Sequence, residues 1–244
     1  MSDESLGNKK TAAAAAAPRG WGVLAGTFWA ALAFLGPRIV LAPLAPLVLS
    51  LPISGNSQSF VLEALVDILV LGVITMIIQL YNLSFASIGL TRKVKWQHLG
   101  MALVALPAYF ITSLVVVAVI GQLFPSLDIN AQQQTGFTPT AQLPELLLVG
   151  VALIVIPPLV EEIVFRGFLM RAYQHRFGAG VAAVVVSLLF ASLHAPLVVC
   201  IDVFVLSLFL CYLRIKSDSL WPSIFLHALK NFVAFLFLFI ISVK

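Results

Sequence analysis

The sequence is poor in charged residues. Lys, Arg, Asp and Glu together make up 10% of the 244 residues, whereas 61% of the residues are hydrophobic. A soluble domain has about 25% charged and about 45–50% apolar residues. The surplus apolar surface needs lipid around it, so the composition excludes a soluble globular protein.

Other features are missing as well. The long apolar runs lack the polar–apolar alternation of a transmembrane β-barrel. The net charge of +4 is small and lies in loops, which indicates membrane topology and no nucleic-acid partner. The two cysteines, Cys200 and Cys211, are eleven residues apart in one apolar segment, a spacing that predicts neither a disulfide nor a metal pair. The predicted fold class is therefore all-α: a polytopic transmembrane helix bundle of about seven to eight spans with a polar site at mid-membrane.

The order of the apolar runs suggests how the chain is organised. Residues 1–20, polar and then alanine-rich, predict a disordered tail. The first apolar run contains Pro37, Pro43 and Pro46 and is too long for one straight crossing, which leaves open a kinked helix or two pieces. The predicted spans, each near the ~20 residues needed to cross a bilayer, are 21–50, 60–81, 97–122, 145–170, 178–196, 197–214 and 221–243. The predicted regions are N-terminal transmembrane helices at 21–122, an extracytoplasmic loop at 123–144 and a catalytic core at 145–244.

Lys and Arg occur in every second loop of the predicted bundle. Loops 51–59 and 123–144 carry no Lys or Arg. Because cytoplasmic loops are enriched in these residues, the pattern predicts an integral protein of the plasma membrane with its N-terminus in the cytoplasm. The basic residues of the loops predicted to be cytoplasmic are Arg92, Lys93, Lys95, Arg171, Arg176, Arg214 and Lys216.

Two adjacent carboxylates interrupt the fourth apolar run. Glu161 and Glu162 each cost several kcal/mol in lipid unless they are used or neutralised. They point about 100° apart on a helix, so one of them faces a site while the other pairs with Arg166, four residues after Glu162. Pro157-Pro158, one turn earlier, frees carbonyl groups near Leu153 and Ile154. A functional site is favoured over a purely structural ion pair.

Polar residues also interrupt the following runs. His194 follows Phe190 by one turn, and His227 and Asn231 share a helix face. By itself, a histidine placed like His194 is more typical of packing than of catalysis. The His227–Asn231 pair by itself fits hydrogen bonding between helices as well as it fits binding of a water or a metal. In combination with the glutamates, they predict one polar site shared by three helices.

The combination Glu-Glu-x-x-x-Arg, Phe-x-x-x-His and His-x-x-x-Asn resembles the CPBP intramembrane proteases, a family of CAAX prenyl endopeptidases and bacteriocin-processing or self-immunity proteins that is also called Abi. The resemblance runs from about Leu146 to the C-terminus, with Arg214 through Asn231 similar to the closing segment of the family. Residues 84–96 resemble its upstream linker more weakly. An intramembrane endopeptidase is thus implied, acting in the lipid bilayer on a peptide or membrane-tethered protein, with a prenylated CAAX substrate in the best-known branch.

The resemblance also implies roles for individual residues. Glu161 and His194 would activate a water molecule, and Glu162 and Arg166 would support the site. His227 and Asn231 would hold the oxyanion or a metal. Two mechanisms stay open: a zinc ion held by Glu161, His194 and His227, or general-base catalysis without metal.

Two further hypotheses use the same polar residues. The chain is alternatively a non-proteolytic relative, a membrane binding, regulatory or bacteriocin-immunity protein, or a small transporter. The intact glutamate–histidine–asparagine set favours the enzyme, and the absence of inverted sequence repeats disfavours a transporter. A structural ion pair is expected among Arg38, Glu63 and Asp67, and Asp202 is expected to cap a helix or to pair.

Overall fold

The structure is a computed structural model that describes residues 22–90, 94–140 and 142–241. The tail predicted at 1–20 lies outside these residues, as do Arg92 and Lys93. In the described part of the chain, six helices are long and apolar enough to cross a membrane: α1 (Val23–Leu49), α2 (Gly55–Leu80), α3 (Trp96–Leu123), α4 (Leu143–Ala191), α5 (Leu197–Ser217) and α6 (Trp221–Ile241). The predicted all-α class is confirmed, and the protein is an integral membrane protein.

The predicted count of seven to eight spans is too high. The first apolar run is one element, in which a 3₁₀ turn at Ala42–Leu44 joins two helical pieces. Pro43 and Pro46 lie at this junction, since neither can donate a backbone hydrogen bond to a continuous helix. The larger difference concerns α4, a 49-residue helical run that contains the fourth predicted span and most of the fifth.

Helix α4 folds back on itself at Gly178. This glycine has φ +78° and ψ 170°, a conformation that breaks a helix. The rings of Phe165 and Phe190 are 4.9 Å apart, whereas 25 residues of straight helix would separate them by about 37 Å. The second arm, 179–191, is only about 20 Å long, too short to cross a bilayer core of ~30 Å alone. It ends in the short loop that carries His194, which brings this histidine towards the middle of the bundle.

The centre of the bundle is the first arm of α4. A π-helical segment, Ile163–Leu169, has all seven of its residues buried, because α1, α5 and the second arm of α4 pack around it. Apolar side chains such as Leu24 and Leu114 are exposed on the outside of the bundle, as expected of a surface that faces lipid. The polar residues of this central arm are therefore shielded from the lipid by other helices.

A short loop after α2 closes one end of the bundle. Gly89 has φ +96°, and a Cβ there would lie 2.9 Å from the guanidinium of Arg214. The backbone N–H of Leu220 donates to the Gly89 carbonyl at 2.9 Å, and Arg171 donates to the carbonyl of Ser87. These contacts connect the loop to α4, α5 and the start of α6, and so fix the helices that carry the polar residues.

Candidate active site

The centre of the site is the carboxylate of Glu162, which is fully buried. Its Oε1 accepts from Arg166 Nη1 at 2.8 Å and lies 3.1 Å from His227 Nδ1. Because a carboxylate paired with arginine only accepts hydrogen bonds, His227 carries its hydrogen on Nδ1. The predicted pair between Glu162 and Arg166 is formed, and it also fixes the imidazole of His227.

Arg166 has further partners that the sequence did not reveal. Its Nη2 donates to Ser207 Oγ at 2.7 Å, and Ser207 donates to Ser187 Oγ at 2.8 Å. The guanidinium also lies 4.4 Å from the centre of the Phe190 ring, a favourable cation–π geometry. Small hydroxyl residues are common inside transmembrane helices, so neither serine gave a distinctive signal.

Glu161 faces away from this buried pair. Its side chain is 15% exposed, and its Oε2 lies 3.8 Å from Nε2 of His227. Both glutamates lie in the α-helical segment Ile156–Glu162, where adjacent residues point about 100° apart, so they occupy different faces as the sequence predicted. Glu161 is the carboxylate that borders open space.

His194 reaches the same space from the loop after α4. Its Nδ1 lies 3.0 Å from the carbonyl oxygen of Phe190; since a carbonyl accepts, Nδ1 is the donor. Its ring packs edge-on against Phe190, with centroids 4.9 Å apart. Nε2 is then a free lone pair, and it takes no hydrogen bond from the described residues.

Asn231 forms a hydrogen bond with the backbone of α4. Its Nδ2 donates to the carbonyl of Leu153 at 2.9 Å, the group whose helical partner would have been the missing N–H of Pro157. The regular α-helical hydrogen bonding is therefore interrupted before the prolines, as the sequence predicted, and residues Val151–Val155 are π-helical. One amide hydrogen of Asn231 is used here, and the second is available to the cavity.

Replacing Asn231 by alanine should destabilise the protein by about 1–3 kcal/mol, because the Leu153 carbonyl loses its donor. The cost should shrink by about 1 kcal/mol in a Pro157→Ala background, where the restored N–H of residue 157 can bond to that carbonyl. Unfolding midpoints of the two single variants and the double variant in detergent measure this coupling. Strictly additive effects would show that Asn231 does not compensate for the proline.

The four predicted residues converge on one cavity of about 500 Å³. Glu161, His194, His227 and Asn231 all line it. The loop segment 131–135, with three consecutive glutamines, also borders it; no local pattern predicted this contact. A cavity of this volume is in the range that takes a small ligand or a short piece of peptide.

Lys230 and Asp202 line the same cavity. Their Nζ and Oδ2 atoms are 4.0 Å apart, and Asp202 also accepts from Tyr109, whose hydroxyl is 2.7 Å away, and from Ser113. Asp202 is thus paired, as one of its two predicted roles required. Lys230, although it lies within an apolar helix, is directed at a carboxylate.

The ion pair expected among Arg38, Glu63 and Asp67 is not formed. All three residues line the cavity, but Arg38 donates instead to the carbonyl of Phe34, four residues before it, at 2.7 Å. Its guanidinium lies 4.2 Å from the centre of the Phe34 ring. An arginine satisfied within its own helix does not need to reach a carboxylate, which explains why the prediction was wrong.

The residues do not fit a metal site as arranged. Among the described residues, no three His, Cys, Asp or Glu side chains are grouped so that they could hold a metal ion. Glu161 and His227 are close, and the contacts of the two Nδ1 atoms leave Nε2 of both histidines available, but His194 does not lie near enough to complete a group of three. We therefore derive no step through zinc.

Buried charge, a break in α4 and an internal cavity define a membrane protein with a polar site inside its helix bundle. Residues 143–233 match the family model of the Rce1-like type II CAAX prenyl endopeptidases. This region therefore belongs to the CPBP and CAAX protease family, and the resemblance seen in the sequence is confirmed. The match does not extend to the weaker resemblance at 84–96. No curated protein and no solved structure matches the chain.

Proposed function

We propose that the protein is an intramembrane endopeptidase in which water attacks the scissile carbonyl directly. The observation that carries this proposal is the meeting of one partly exposed carboxylate, Glu161, with two imidazoles at a single cavity inside a helix bundle. Neither Cys200 nor Cys211 lines that cavity, and no serine does so in the described part of the chain. Direct hydrolysis needs no acyl-enzyme.

Glu161 is the proposed general base. With both histidines protonated on Nδ1, their Nε2 atoms are lone-pair acceptors. A water molecule placed beside Glu161 then donates one hydrogen to the carboxylate and the other to an imidazole. This arrangement orients its oxygen lone pair towards a carbonyl in the cavity, which is what general-base catalysis requires.

His194 is the proposed proton carrier. As the water oxygen bonds to the carbonyl carbon, Glu161 takes one proton, and the nitrogen of the scissile amide must gain a proton before it leaves. His194 borders the cavity from a loop with its Nε2 unprotonated, so it can accept that proton from Glu161 and deliver it to the amide nitrogen as the C–N bond breaks, which returns Glu161 to its ionised form. The charge that develops on the carbonyl oxygen is stabilised by the second amide hydrogen of Asn231 and by the ammonium of Lys230.

Glu162 and Arg166 are the proposed supporting pair. The carboxylate of Glu162 fixes the tautomer of His227, so that Nε2 rather than Nδ1 faces Glu161. Arg166 neutralises Glu162 and is itself held by Ser207 and Phe190. Rigid support of this kind keeps reacting groups within the small tolerances that catalysis demands.

The substrate is proposed to be a membrane-tethered protein or peptide, with prenylated CAAX proteins as the group to test first. The family to which residues 143–233 belong provides the support for this choice. We also propose, from the distribution of basic loops, a plasma-membrane location with the N-terminus in the cytoplasm.

The test is cleavage by the full chain in lipid nanodiscs of a peptide that carries a farnesyl-cysteine near its C-terminus. Two product fragments should appear by mass spectrometry, and added hydroxylamine should give no hydroxamate, because no acyl-enzyme forms. His194→Ala should lower the rate about 100-fold or more. His175→Ala, at an exposed position of α4 outside the cavity, is the matched control and should cleave normally. A hydroxamate product, or full activity of His194→Ala, would contradict the mechanism.

A further inference from the structure

One wall of the cavity is acidic and takes no part in the proposed chemistry. Glu63 and Asp67 are four residues apart on α2, so they lie on one face of that helix, and both line the cavity. Asp67 is only 7% exposed. The described residues offer its carboxylate no hydrogen bond and no ion pair within 4.0 Å. A buried, unpaired carboxylate inside a membrane protein is costly and marks a functional position.

The neighbouring cation does not explain this wall. Arg38 points at the carbonyl and the ring of Phe34 in its own helix. It offsets one negative charge at a distance, but it satisfies neither carboxylate directly. The two acidic side chains therefore present unused acceptors to whatever enters the cavity.

The whole cavity has the opposite charge to the protein. Besides the two histidines, its ionisable lining among the described residues comprises two cations, Arg38 and Lys230, and four acids, Glu63, Asp67, Glu161 and Asp202. The complete chain, in contrast, has a net charge of +4. A negatively charged cleft with walls of low dielectric constant concentrates field and attracts a cationic group.

We propose that Asp67 and Glu63 form a subsite for a lysine or arginine side chain of the substrate, a few residues from the scissile bond. This subsite rests on the proposed proteolytic function and specifies the kind of peptide that the enzyme selects. Asp67 supplies the buried end of the subsite, where an ion pair is weakly screened, and the exposed Glu63 supplies its mouth.

A basic side chain suits the wall better than a metal ion does. Two carboxylates with Arg38 on the same side of the cavity provide few ligands for a hard cation, which takes six or more oxygen ligands as Ca²⁺ or a near-ideal octahedron as Mg²⁺. A guanidinium or ammonium needs only one or two acceptors and brings several donors of its own. The free lone pairs of Asp67 match such donors.

The test uses peptides that differ at one position, which is lysine, norleucine or glutamate and is moved along the segment flanking the cleaved bond. At one position, kcat/KM of the wild-type chain should be about tenfold or more higher for lysine than for norleucine, since a hydrogen bond to a charged group discriminates by this amount. Asp67→Asn should reduce that ratio to within about twofold, and the milder Glu63→Gln should reduce it partly. Arg38→Gln should raise it. Asp128→Asn, an exposed aspartate outside the cavity, is the matched control and should keep the wild-type ratio.

A binding arm separates this proposal from the proteolytic function. The same peptides, fluorescently labelled, are titrated into a Glu161→Gln chain in nanodiscs, with and without Asp67→Asn, and anisotropy is measured. Tighter binding of the lysine peptide that disappears with Asp67→Asn supports the subsite, whether or not the wild-type chain cleaves the peptide. Absence of cleavage by the wild-type chain would overturn the proteolytic function instead. Cleavage without a lysine preference overturns the subsite alone. A lysine preference that survives Asp67→Asn combined with Glu63→Gln, or an absence of selective binding, also overturns it.

Discussion

Replacing Arg166 by alanine is expected to destabilise the folded protein by about 3–5 kcal/mol, the usual result of removing one partner of a buried ion pair. Glu162 would be left with its charge in a fully buried position. Its second oxygen, Oε2, lacks a partner among the described residues, so the contact of Oε1 with His227 would be what remains. Loss of the pair also frees His227, and we expect cleavage to fall together with stability. The unfolding midpoint in detergent and the rate per folded molecule measure the two effects.

Two controls distinguish a buried charge from a lost contact. Combining Arg166→Met with Glu162→Gln removes both charges, so it should recover much of the stability lost in Arg166→Ala while cleavage stays low. The pair of Arg214 and Asp218 has the same i, i+4 spacing, but the side chain of Asp218 is 94% exposed. Asp218→Asn should therefore change stability little. If Arg166→Ala is as stable as the wild type and cleaves at the full rate, the supporting role of Arg166 is wrong.

Replacing Glu161 by glutamine should lower kcat by about 100-fold or more, because the amide keeps the shape of the side chain but cannot take a proton from water. The fold should tolerate this change, since the contact of Glu161 with His227 is long, at 3.8 Å, and no strong pair is broken. Single-turnover cleavage of the farnesylated peptide, with the unfolding midpoint measured in parallel, tests both statements.

The effect of Glu161 should also depend on His194. The two residues act on the same water molecule, so Glu161→Gln combined with His194→Ala should be little slower than either single variant. Independent roles would instead make the losses multiply. Losses that multiply would contradict the shared water molecule that we propose, although they would remain compatible with a site in this cavity.

Local spacing in the sequence predicted the side-chain contacts around the cavity better than the path of the chain. Ionisable residues are so costly in lipid that Glu161, Glu162 and His227 stood out against their apolar neighbours, and the i, i+4 rule was enough to pair Glu162 with Arg166. Pro157 likewise predicted a carbonyl in need of a donor near Leu153. These inferences depend only on local spacing, which sequence preserves.

The remainder depended on tertiary packing. The predicted spans 145–170 and 178–196 required a turn between them, but nothing local showed that the turn lies at Gly178 or that it places Phe190 against Phe165, since a glycine inside a helical pattern is often tolerated. The orientation of Arg38 was mispredicted because its own helix offers a carbonyl and a ring, a choice that depends on the rotamer. Ser187 and Ser207 gave no signal, because hydroxyl residues occur in many apolar helices without any role.

The most direct test of the central claim compares Glu161→Gln with Glu162→Gln in one cleavage assay on the full chain in nanodiscs. We expect Glu161→Gln to be stable and almost inactive. Glu162→Gln should be destabilised and should retain more activity per folded molecule, because it supports His227 without touching the water. An inactive, well-folded Glu162→Gln beside an active Glu161→Gln would reverse the assignment of the two glutamates. Normal cleavage by both variants would contradict glutamate-dependent proteolysis in this protein.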